Sequence, residues 1–116
     1  MNLGGNHLTA IPQKALFILD TLKKLEVQEN RIETIKEGDF EGLRNLDSLI
    51  LAHNHLKRIE ANVFSHLKLL NSLELEGNSI TYIDKDAFKG LEGMSMFLHY
   101  SFSLSFRELK TNFTMK

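Results

Sequence analysis

Cysteine is absent from the chain's 116 residues. That removes disulfides, thiolate metal centres and cysteine nucleophiles in one step, and it leaves the compartment open, because a chain without thiols is indifferent to redox. One proline and seven glycines are too few for a flexible linker or a low-complexity segment. Neither sign of charge dominates. The 14 Lys and Arg stand against 15 Asp and Glu, for a formal net charge of -1, and the two signs are interspersed. No nucleic-acid face, polybasic membrane patch or acidic tail is expected. No window of 18 uninterrupted apolar residues occurs, so no membrane insertion is expected. The opening Met1-Asn2-Leu3-Gly4-Gly5-Asn6-His7 has no basic region followed by an apolar core, so no signal peptide is expected either.

What the chain does contain is a period. Asparagine recurs at Asn6, Asn30, Asn54 and Asn78, always 24 residues apart, and a fixed period of that size signals a solenoid. Placed in that register, the apolar residues fill columns. The first two are Met1, Leu25, Leu49 and Leu73, then Leu3, Val27, Leu51 and Leu75. After the asparagine come Leu8, Ile32, Leu56 and Ile80, then Ile11, Ile35, Ile59 and Ile83. The return segment supplies Leu16, Phe40, Phe64 and Phe88, then Leu19, Leu43, Leu67 and Leu91, then Leu22, Leu46, Leu70 and Met94. With 42% hydrophobic residues the core is expected to be a long thin stack, each unit depending on its neighbours.

This pattern resembles the leucine-rich repeat family, L-x-x-L-x-L-x-x-N-x-L, in its 24-residue form with a phenylalanine in the second half, over residues 1 to about 94. The resemblance implies an α/β solenoid: a right-handed coil with short parallel strands on the concave side and an irregular or short-helical convex side. Its division of the chain is 1–94 as about four repeat units, the first entered at its strand, and 95–116 as a divergent strand and tail without a cysteine cap.

The chemistry of the residues fits that architecture. Leu-x-Leu places two side chains on one face of a strand. The asparagine amide offers two donors and an acceptor, able to pair with backbone groups of its own and the next coil. A ladder of such amides would satisfy groups that a tight turn leaves unpaired. Phe40, Phe64 and Phe88 are expected to stack as a spine, with Leu16 in place of the ring in the first unit.

Beyond residue 94 the period fails. It calls for leucine at 97 and 99, where the chain has Phe97 and His99. Apolar residues fall instead on even positions, Met96, Leu98, Tyr100, Phe102, Leu104 and Phe106. The alternation is slipped by one from the repeat register, and a one-residue slip exchanges faces. If the repeat register holds, Leu98 and Tyr100 crowd the concave side; if the strand follows its own alternation, it closes the last coil differently.

In this architecture the residues flanking the strand leucines form a grid on the concave sheet: Lys24, Glu26 and Gln28; Ser48, Ile50 and Ala52; Ser72, Glu74 and Glu76; then Leu98 and Tyr100. The family uses such grids to bind proteins. This one reads acidic around Glu26, Glu74 and Glu76, with an apolar island at Ile50. Glu74 and Glu76 share a strand face about 6.6 Å apart, a spacing open to a carboxylate pair, but an open sheet supplies no pocket to raise either pKa. His53 and His55 flank Asn54 and do not converge as zinc ligands must. Asn112-Phe113-Thr114 has the N-glycosylation pattern and matters only in a secreted chain.

The sequence thus implies a non-enzymatic protein-binding module, with no catalytic residues, cofactor or metal, whose partner is another protein. The resemblance to secreted and receptor-ectodomain members implies an extracellular setting. A non-catalytic accessory subunit of an enzyme and a truncated fragment without independent function are the alternatives. The uncapped ends are expected to favour self-association.

Overall fold

The computed structural model describes residues 1–91 and the backbone of 98–99. Four parallel strands form one sheet in the order β1 (Lys24–Glu26), β2 (Ser48–Ile50), β4 (Ser72–Glu74) and β6 (Leu98–His99). A second, two-stranded parallel sheet joins β3 (Arg58–Ile59) to β5 (Tyr82–Ile83). Between strands of the first 91 residues, each pairing joins equivalents 24 residues apart: Leu25 with Leu49, Leu49 with Leu73, Ile59 with Ile83. Pairing continues past the strand ends, with Val27 N donating to Ile50 O at 2.9 Å and Leu51 N to Glu74 O at 2.8 Å. The first coil joins the sheet through a parallel bridge between Asn2 and Glu26.

Every coil turns on the same device. Gly5, Glu29, His53 and Gly77 occupy one column and all have positive φ, between 56° and 75°. The left-handed residue reverses the strand just before the asparagine, and a non-glycine residue there is held by its surroundings. At residue 77 a side chain would run into the His53 ring, and glycine there leaves the ring its place.

The return is short-helical in one coil and turn-built in the others. A single helical turn, α1 (Gln13–Leu16), follows Pro12, whose missing N–H costs a helix start nothing. Later coils come back through hydrogen bonds three residues long, such as Leu43 N to Phe40 O and Leu67 N to Phe64 O.

The expected columns are the core. Leu25, Val27, Leu49, Leu51, Leu73 and Leu75 are buried, as are Ile32, Leu56 and Ile80 and the column from Ile11 to Ile83. The aromatic spine is present: ring centroids are 6.0 Å apart from Phe40 to Phe64 and again from Phe64 to Phe88, and Leu16 is buried in the same column.

The last strand departs from the repeat. Leu98, expected on the concave face if the 24-residue register held, is instead the backbone partner of Leu73, and His99 that of Glu74. This corrects the placement by one residue and puts Leu98 in the row of Leu25 and Leu49. The alternation of apolar residues on even positions accounts for it, since that phase aligns Leu98 with an apolar row. Tyr100, the Asn112 sequon and the rest of the expected 95–116 tail lie outside the described residues.

Candidate functional site

The asparagines come first, because they shape the sheet that carries the site. Asn30, Asn54 and Asn78 are buried. Asn54 Nδ2 donates to Val27 O at 2.9 Å, Leu51 O at 3.2 Å and Ala52 O at 3.3 Å, while its Oδ1 accepts from Ile32 N at 3.1 Å. Asn30 and Asn78 repeat the arrangement on Leu3, Leu8 and Val27, and on Leu51, Leu56 and Leu75. The bonds run within the coil and to the preceding one, not to the next as the sequence suggested. Asn6, in the first coil, is exposed, and its amide donates only to Leu3 O and Gly4 O of its own coil.

Above this ladder the concave sheet presents its side chains in register. Lys24, Ser48 and Ser72 form one row and Glu26, Ile50 and Glu74 the next. All are exposed or half-buried. Lys24 lies 3.8 Å from Glu26, an exposed pair of small energetic weight. Glu74 and Glu76 have no ion-pair partner among the described residues.

The third row holds Gln28, Ala52 and Glu76 and differs from expectation. Ala52 is buried, with 3% exposure, and is not an open contact position. A methyl group on a sheet surface is covered this fully only when longer neighbours close over it. Gln28 behaves similarly toward the first coil: a Cβ at Gly4 would stand 2.9 Å from Gln28 Nε2, so glycine there leaves room for the amide. Gln28 Oε1 and Glu76 Oε2 are both shielded from solvent and accept no hydrogen bond.

Two further features were not legible in the residues. On the flank where chain enters the strands, Lys23, Asn45, Asp47, Lys68, Leu69 and Asn71 line an open hollow, in which Asn71 Nδ2 donates to Asp47 Oδ1. Leu69 is exposed beside the two lysines. On the second sheet the Arg58 guanidinium lies 4.1 Å from the Tyr82 ring centroid and bonds Glu60 at 2.7 Å. Tyr82 donates to Asp84 Oδ2 at 3.1 Å. That hydrogen bond, with some burial, raises the phenol pKa above its ordinary value.

His7, His53 and His55 are exposed, and no group of three or more potential metal ligands occurs among the described residues. None of the described helices is long and apolar enough to cross a membrane.

A stack of parallel coils with a solvent-facing sheet is the architecture of a protein-interaction repeat. The family described as Leucine rich repeat matches residues 1–56 and again 44–98, and the chain belongs to that family. It is 39% identical over 54 residues to the zebrafish (Danio rerio) protein named Leucine-rich repeat-containing protein 3, a match covering 46% of this chain and 20% of that protein. Among solved structures it is similar to a chain of the Toll–Spatzle complex, described as a molecular hub in Drosophila development and innate immunity, in its glycosylated form. There the TM-score is 0.78 and identity 27%, over 94% of this chain and 15% of that one. The chain thus spans about a fifth or less of the length of each of these two proteins.

Proposed function

We propose that this chain is a non-enzymatic module that binds another protein through its concave sheet, using Lys24, Glu26, Gln28, Ser48, Ile50, Ser72, Glu74 and Glu76. The observation that carries the reading is the registered grid itself. Ile50 sits between Glu26 and Glu74, an apolar centre with a charged rim, and contact surfaces of proteins are built in that way. The likeness to a chain in a solved complex of two proteins supports a protein partner, and the glycosylated form of that complex supports an extracellular or receptor-ectodomain setting.

The test is capture from a secreted-protein fraction, followed by saturable binding of the purified captured protein. Ile50→Asp and Glu74→Lys are expected to weaken that binding at least about tenfold, roughly the cost of losing one central contact, with unchanged thermal melting. Full binding by both folded variants would place the contact elsewhere and overturn the proposal.

A further inference from the structure

The hollow on the flank where chain enters the strands lies outside the concave grid. Lys23, Asp47 and Asn71 stand in one column of the repeat, and Asn45 and Leu69 in the column two residues earlier. Backbone bonds tie the first column from coil to coil: Asp47 N and Ser48 N donate to Lys23 O, and Asn71 N and Ser72 N to Asp47 O. The solenoid itself therefore fixes the walls. The polar floor is satisfied internally, with Asn45 Nδ2 donating to Asp20 O at 2.7 Å and Asn71 Nδ2 to Asp47 Oδ1. Two features are not. Lys23 and Lys68 are exposed, and neither has a carboxylate, Asp47 included, within ion-pair distance among the described residues. Leu69 is 55% exposed in a column that holds polar Thr21 and Asn45 in the coils before it. The other large hydrophobics left so open, Met1, Phe17 and Ile18, all belong to the first coil. A single exposed leucine is ordinary. One set in a hollow between two unpaired cations makes an apolar centre with a charged rim, the anatomy of a contact patch.

We infer that this hollow is a second docking site, for an acidic segment of a partner protein that carries a bulky apolar side chain next to its carboxylate. The inference goes beyond the concave-face reading and does not rest on it. Charge decides the sign of the occupant: two unpaired lysines face one carboxylate, Asp47, which already holds the Asn71 amide. Asp47 also decides against a dense polyanion, which would press its own charges on that carboxylate and leave Leu69 uncovered. A lone carboxylate can bridge the two lysines while its apolar neighbour covers Leu69 and the aliphatic lysine stems. The hollow measures about 560 Å³, in the size range of sites that hold a small ligand, so it takes a few side chains of an extended segment.

The test is a nuclear magnetic resonance titration of the whole chain with blocked tetrapeptides. The sequence Glu-Leu-Glu-Phe has both features, Gln-Leu-Gln-Phe lacks the charge and Glu-Ala-Glu-Ala lacks the apolar bulk; a heparin hexasaccharide is the polyanion. Glu-Leu-Glu-Phe is expected to shift the Leu69 methyls and the Asn45 and Asn71 side-chain amides, at least about fivefold more tightly than either control peptide, near the upper end for one exposed ion pair. Lys23→Gln, Lys68→Gln and Leu69→Ser should each weaken it about threefold to fivefold with unchanged melting. Lys57→Gln, the same charge change beside the second sheet, should leave it unaltered. Equal binding of the three peptides, equal weakening by Lys57→Gln, absence of shifts at Leu69, or tighter binding of the hexasaccharide would each overturn the inference. Ile50→Asp should bind Glu-Leu-Glu-Phe normally, so this site and the concave-face reading stand or fall separately.

Discussion

Each buried asparagine serves two coils at once, so its loss is felt beyond its own turn. Replacing Asn54 by leucine strands the buried Ile32 N–H, which donates to the amide oxygen, and leaves the Val27 carbonyl with the Asn30 amide alone. The expected cost is about 1–3 kcal/mol, the penalty of leaving such groups without partners. Asn6→Leu is the internal control. That amide is exposed and bonds only its own coil, so the change should stay within about 0.5 kcal/mol. Urea denaturation of the two variants measures the difference, and equal midpoints would show that the ladder adds nothing. The asparagine column was readable because one residue type at a fixed period carries its own chemistry. Which neighbour it serves was not, since the direction depends on how one coil is offset against the next.

At the scale of the element, the returns are as constrained as the strands. Gly42 has φ of +92°, and a Cβ there would collide with the Phe17 carbonyl. Backbone cannot swing aside as a side-chain tip can. Gly42→Ala is expected to destabilise by about 1–3 kcal/mol from the backbone conformation alone, with the collision in addition. Gly38→Ala, at an exposed position without close neighbours, should be neutral or stabilising by up to about 1 kcal/mol; chemical denaturation of the pair separates them. The second sheet offers a different reading. Tyr82 donates to Asp84, and a phenol whose folded pKa is raised adds stability that is complete below about pH 10 and lost as pH rises through the folded value. In a Tyr100→Phe background, ultraviolet titration should find Tyr82 ionising above the ordinary phenol value, and Asp84→Ala should return it toward that value. The Arg58–Tyr82 contact escaped the sequence because the two share no residue type, although Ile59 and Ile83 beside them stand in an expected column. Ala52 was misplaced for a related reason: its burial is decided by its neighbours' lengths, while the period predicts only which way a side chain points.

For the whole molecule, the column pattern makes a statement about where stability resides. Each coil touches only the coils beside it, so interior coils are supported on two sides and the first described coil on one. The burial follows: Leu49, Leu51, Leu56, Leu67 and Leu70 are fully buried, whereas Leu3, Leu8, Leu19 and Leu22 are only partly so. Strand hydrogen bonds do not share that gradient, since Leu3 N to Glu26 O at 2.7 Å is as short as Leu51 N to Glu74 O at 2.8 Å. Bond geometry alone would give the two amides similar protection; neighbour packing would not. Native-state hydrogen exchange distinguishes the two, because an amide exchanges through the least costly opening that exposes it. If packing governs, the Leu3 and Gly5 amides should exchange at least about 100-fold faster than those of Val27 and Leu51, corresponding to roughly 2.7 kcal/mol less local stability. Uniform protection from residue 3 to residue 83 would instead make the coils one all-or-none unit. The same gradient bears on binding, because Glu26, Ile50 and Glu74 sit on the coils that packing holds most firmly, and a partner that meets them there spends little free energy on ordering the surface.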